Sequence, residues 1–160
     1  MKILHLPLKA KWYNMIDSGV KPEDYRENKL YWCKRLYKNS DRTTQEFKSY
    51  THVRFSYGYT KRRMTFAIKK ILLSFGNPEW GAPSDKLVFT IQLGKRERKV
   101  GEIFSYKGKM IKVVESDFCI GCYFIDFCRK FNGKLPAGLC IKESRSDGKS
   151  VIFKEVNNEN

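Results

Sequence analysis

The chain has 160 residues, 41% hydrophobic and 14% aromatic, enough for one core or for one compact domain carrying a small appended module. No apolar run approaches the roughly 20 residues needed to span a bilayer. The start Met1-Lys2-Ile3-Leu4-His5-Leu6-Pro7-Leu8 is too soon broken by charge for a secretory leader. Neither a membrane-spanning nor a secreted protein is expected, but a cytoplasmic one with reduced or metal-bound cysteines.

The charge is unusual: 32 Lys and Arg stand against 17 Asp and Glu, a net of +15. The first hundred residues hold 22 of those basic groups against 9 acidic ones, so the excess belongs to the N-terminal part. Such a surplus concentrates and steers polyanions, and RNA or a nucleotide is the expected partner.

In chain order, residues 2–6 read as a strand, and Pro7 stands where a helix can begin. Leu8, Trp12, Met15 and Ile16 make one apolar stripe of a short helix, closed by Ser18 and by Gly19 at the left-handed C′ position. Extended chain is expected over Lys21–Glu27, a second short helix over Leu30–Leu36 and a polar loop over Tyr37–Tyr50. Thr51–Tyr57 alternates like a half-buried strand, Lys61-Arg62-Arg63 is a basic turn, and Met64–Phe75 is a longer strand. Gly76–Pro83 is a loop dense in breakers, and Lys86–Leu93 is strongly β-prone. Lys95–Lys99 is a charged connector and the expected boundary, dividing the chain into 1–96 and 97–160. Beyond it, Tyr106-Lys107-Gly108-Lys109 fits a hairpin turn, a cysteine-rich stretch runs from Cys119 to Cys140, Val151–Phe153 reads as a last strand, and the tail Asn157–Asn160 as frayed. Strand, helix, then several strands argue for an α+β fold with a mainly antiparallel, barrel-like sheet.

The segment Ser18-Gly19-Val20-Lys21-Pro22-Glu23-Asp24-Tyr25-Arg26 resembles the ASCH-family signature G-x-K-x-x-E-x-R. Gly19, Lys21 and Arg26 match directly, while the acidic position falls on Asp24, with Glu23 beside it. The strand and helix before it, the strand around Arg54 and the Pro-Glu-Trp-Gly loop also resemble ASCH proteins of bacteria and their phages, over about residues 1–96. The resemblance implies a PUA-like β-barrel with short helices flanking a cleft lined by the signature residues, and an association with RNA or modified nucleosides. Some ASCH members are similar to N4-acetylcytidine amidohydrolases, and a few have been described as ribonucleases. An Asp where the family has Glu is one methylene shorter, a change that binding tolerates better than hydrolysis.

Taken physically, Lys21 is a point charge suited to phosphate or, if desolvated, a base or nucleophile. Arg26 offers a planar fork, and Glu23 or Asp24 fixes either cation or shuttles a proton. Lys21, Asp24 and Glu23 are thus the catalytic candidates if the protein is an enzyme, with Glu79 as an alternative acid. Strict strand alternation separates Lys21 from Asp24 and Arg26, so their convergence requires a bulge or turn, which Pro22 permits. His5 and His52 lie inside expected strands and read as structural.

The interleave Arg54-Phe55-Ser56-Tyr57-Gly58-Tyr59-Thr60-Lys61-Arg62-Arg63 is a second candidate nucleic-acid surface, with Arg54, Arg62 and Arg63 for phosphates and Tyr57 and Tyr59 for stacking. Trp80 is a stacking platform or a loop anchor. Cys119, Cys122, Cys128 and Cys140 supply four thiols, the first two at the C-x2-C spacing of a zinc knuckle. Zinc ligation, reduced structural thiols and disulfides all stay open for them, and Cys33 is expected to be buried alone. The stretch Cys119–Val156 resembles a small cysteine module of phage-type proteins, which implies no activity. The leading expectation is an RNA- or nucleotide-binding protein. The alternatives are an enzyme acting on an N4-acylated cytidine or on RNA, and an interaction scaffold that contacts a protein partner through the cysteine module.

Overall fold

The structure, a computed structural model, describes residues 1–39, 45–132 and 135–156. Residues 40–44 of the expected loop and the expected frayed tail Asn157–Asn160 lie outside the described residues. The fold is α+β, and the chain divides into two compact units, Met1–Gly94 and Lys95–Asn160.

The first unit is built on a curled five-stranded half-barrel. Strand β1 (Ile3–Leu8) buries Leu4, Leu6 and Leu8 on one face, as period-2 alternation demands. It runs two residues past the expected end, through Pro7. A proline is tolerated there because β1 is an edge strand of the order β1-β3-β4-β5-β2, where a missing N–H need not face a neighbour. Helix α1 (Ala10–Asp17) therefore starts later than expected and buries Tyr13 and Ile16, leaving Trp12 and Met15 half-buried and Leu8 to the strand. Gly19 follows with φ +81°. Strand β2 (Glu23–Glu27) is shorter than the expected extended run, and helix α2 (Leu30–Leu36) buries Cys33 and Leu36.

Strands β3 (His52–Tyr57), β4 (Arg63–Ser74) and β5 (Val88–Glu97) complete the sheet. β3 pairs with β4 and β2 with β5 antiparallel, but β1 pairs with β3 in parallel, with Leu4 opposite Val53 and Leu6 opposite Phe55. That parallel pair qualifies the expected antiparallel sheet, because α1, β2 and α2 together form the crossover that returns the chain in the same direction. The core gathers Leu4, Leu6, Val53, Phe55, Phe89 and Ile91 under Tyr13, Ile16 and Leu36. Each such side chain is worth about 1.5–3 kcal/mol relative to leaving it in water.

β5 continues to Glu97, so the expected connector Lys95–Lys99 is partly strand. Its pattern alternates: Lys95 is exposed and Glu97 buried, and the Glu97 carboxylate accepts from the Ser146 N–H at 2.5 Å and its hydroxyl at 2.6 Å. A run of like charges thus hides one partnered acid. In the second unit, β6 (Ile103–Tyr106), β7 (Lys109–Glu115) and β8 (Val151–Glu155) form an antiparallel sheet in that order. Lys107 and Gly108 make its two-residue turn, both with positive φ, the backbone that right-twisted hairpins favour. Helix α3 (Ile125–Lys130) is short, and Ile111, Val113, Phe124, Val151 and Phe153 form a second core. Among the described residues no helix is long and apolar enough to cross a membrane.

Candidate functional site

A cleft of about 370 Å³ opens in the first unit, between the end of β1, the start of α1, β2, α2 and the Pro78–Trp80 turn. Its floor is set by where β2 starts. Lys21 precedes the strand, its N–H donating to the Met15 carbonyl at 3.0 Å, while the Pro22 carbonyl accepts from Leu93 N–H. The strand's alternation begins only at Glu23, so Lys21 escapes it and lines the same cleft as Asp24 and Arg26. The break at Pro22 does what a bulge would have done.

Lys21 is only 3% exposed. Its ammonium donates to the Trp80 carbonyl at 2.6 Å and stands 4.9 Å from the Trp12 ring centre and 4.4 Å from that of Tyr25. Burial pulls its pKa below the ordinary lysine value, and the nearby Asp24 carboxylate works against that fall. Asp24, also 3% exposed, accepts from Arg26 Nε at 2.8 Å. The Arg26 guanidinium lies 5.0 Å from the Trp32 ring and donates to the Pro7 carbonyl at 3.3 Å. Arg35 approaches the same indole at 5.4 Å. The Tyr25 hydroxyl donates to Glu23 and accepts from the Asn77 N–H, and burial, then its bond to Glu23, pushes its pKa up.

The catalytic candidates are thus divided. Lys21 and Asp24 share the cleft, whereas Glu23 does not line it and is held by Tyr25. Glu79 is exposed in the 3-10 turn. The lining holds no Ser, Thr, Cys or His among the described residues. Trp80 serves as both wall and anchor, its ring beside the cleft and its carbonyl holding Lys21.

Comparison of the chain with family models, with curated proteins and with solved structures returns no match.

The Arg54–Arg63 stretch splits between two places. Arg54, Tyr59 and Arg63 line a second hollow of about 330 Å³ together with His5. Arg54 donates to the Thr65 hydroxyl at 3.1 Å, and Tyr59 is fully exposed. Burial, then Arg54, Arg63 and Arg35, lowers the His5 pKa and so disfavours its charged form. Tyr57 instead packs edge-on against Tyr13 at 5.3 Å, and Arg62 covers both rings and pairs with Asp17 at 3.3 Å. Tyr57 and Arg62 thus fasten the strand end to α1. His52 is buried beside the Thr51 hydroxyl.

Two walls of the cleft escaped the sequence reading. Trp12 belongs to an apolar helical stripe, and Trp32 lies in a short helix with no motif around it. The one available signal was Trp32 spaced three residues from Arg35. In the second unit, the four cysteines line one small cavity, although among the described residues no three His, Cys, Asp or Glu side chains already stand where they hold a metal ion.

Gly81 is what lets Trp12 reach the cleft. It has φ +90°, and a β-carbon there would sit 2.6 Å from the Trp12 ring. Gly81→Ala is expected to displace the indole and cost about 1–3 kcal/mol in strain. Thermal melting would show the loss, and Trp fluorescence would shift toward a wetter environment.

Proposed function

We propose that the first unit is a PUA-like, ASCH-type barrel that binds single-stranded RNA or a nucleotide in this cleft, with no catalysis required. The observation that supports this reading best is a buried lysine and an arginine fork set among three indoles, Trp12, Trp32 and Trp80. Cations in a half-dry setting attract phosphate more strongly than cations in water. An indole gives an unpaired base a stacking surface whatever its sequence. Asp24 is engaged by Arg26, and that pairing serves to aim the guanidinium rather than to move protons. The signature match at Gly19, Lys21 and Arg26 and the basic excess of the first hundred residues point the same way.

The test is fluorescence anisotropy of labelled single-stranded RNA, duplex RNA and single-stranded DNA at low and moderate salt. The expected result is a preference for single strands, with affinity falling as salt rises. Equal binding to all three would reduce the interaction to general charge attraction and set the cleft aside.

A further inference from the structure

We propose that Cys119, Cys122, Cys128 and Cys140 are the ligands of a structural zinc ion that staples the second unit. This inference does not depend on the RNA-binding reading.

The four cysteines come from three pieces of chain and line one cavity of about 270 Å³. Cys119 and Cys122 bracket a tight turn in which the Cys122 N–H donates to the Cys119 carbonyl at 3.2 Å. Gly121, with φ +75°, makes that turn, and the two thiols three positions apart have the C-x2-C spacing of a zinc knuckle. Cys128 rides on α3, its N–H fixed to the Phe124 carbonyl at 2.8 Å. Cys140 is tied to β8 through its carbonyl, which accepts from Val151 N–H at 2.8 Å. The remaining liners are Ile125, Leu135, Val151, Ile152 and Arg129. Among the described lining residues no oxygen or imidazole side-chain donor competes, and a donor set of four soft thiolates suits zinc rather than magnesium or calcium.

The cysteines surround the cavity without yet meeting at its centre. Tetrathiolate ligation requires the four sulfurs to close to about 2.3 Å from one ion, and Cys119 is the exposed member of the set. Binding one Zn²⁺ releases four thiol protons and leaves a centre of net charge −2. Arg129 beside the cavity and Lys95 near Cys140 offset that charge.

The second unit also lacks the core that would make a staple redundant. Its cluster contains seven buried residues, against sixteen in the first unit's cluster, among the described residues. Small units of this kind commonly draw stability from a metal or crosslinks.

The experiment uses the full chain, purified without chelator and freshly reduced. Elemental analysis should find one zinc per chain, and a mercurial titration should release it as four thiols react. Cobalt exchanged into the site should show thiolate-to-metal charge transfer and the intense visible bands of a tetrahedral tetrathiolate. Cys128→Ala and Cys140→Ala should each lose the metal, while Cys33→Ala, in the other unit, should keep it. If a cysteine variant fails to fold, chelator added to the wild-type chain supplies the same readout as a drop in melting temperature. The proposal is overturned if the reduced chain takes up neither zinc nor cobalt, or if mass spectrometry finds the four thiols joined as two disulfides in the chain as isolated.

Discussion

Lys21→Met should weaken binding of single-stranded RNA roughly 10- to 100-fold while leaving the first unit folded. The methionine keeps a flexible apolar stem against Trp12 and Tyr25 and removes only the charge. A charge-assisted hydrogen bond contributes about 1.5–3 kcal/mol, and each 1.4 kcal/mol is about tenfold in affinity. Folding should hold, because Lys21 is a cation that burial already disfavours. Arg26→Lys is the companion substitution. It keeps the charge beside Asp24 but loses the fork, so affinity should fall while melting changes little.

The pH dependence has a definite sign. The Lys21 pKa is lowered, so its cationic contribution to binding is complete below that lowered value. It disappears as pH rises through it, starting before the ordinary lysine value of 10.5. The Lys21→Met variant should lack that alkaline decline. In the free protein the effect on stability runs the other way. The unfolded chain holds the proton to higher pH, so the stability of the first unit rises with pH across the same window. Anisotropy and melting curves recorded from neutral to alkaline pH read both arms.

The largest stability loss is expected at Arg145→Ala, about 3–5 kcal/mol. Arg145 is 1% exposed, the largest side chain in the protein to be so fully buried. Its guanidinium donates to the Leu139 and Arg98 carbonyls, each at 3.0 Å, and forks onto Asp147, with Nε at 2.9 Å from one oxygen. Burial raises the Asp147 pKa, but the Arg145 hydrogen bond and charge together with the Lys149 N–H outweigh it and hold the carboxyl below its usual range. Truncation therefore strands two carbonyls and a carboxylate at once. Asp147→Asn should cost less, since the amide oxygen still accepts from Arg145. Chemical denaturation of the two variants, followed by tyrosine and phenylalanine signals of the second unit, ranks them.

Local rules carried much of this fold and stopped at identifiable places. Leu4, Leu6 and Leu8 announce β1 by alternation, and Lys107-Gly108 announces its hairpin by turn chemistry, because both depend on neighbours in sequence. The parallel pairing of β1 with β3 depends on a partner about fifty residues away and has no local mark. The site divides in the same way. Lys21, Asp24 and Arg26 were visible as a motif, but their convergence turned on where β2 begins. Trp12 sits on an apolar helical stripe and Trp32 in a short helix without a motif, and spacing cannot tell a ring facing a cleft from one facing a core. Arg145 carries no local mark of its burial, since its acceptors at Leu139 and Arg98 are set by tertiary folding alone.

The β1–β3 pairing also shapes how the first unit assembles. The β3–β4 hairpin closes through a short turn and gains its contacts cheaply, whereas docking β1 beside β3 must first restrain a long intervening stretch. The entropic cost of forming this sheet therefore falls on the pairings that join distant segments, β1 with β3 and β2 with β5. Substitutions at Leu4 or Leu6 that loosen the finished sheet are expected to speed its opening more than they slow its closing.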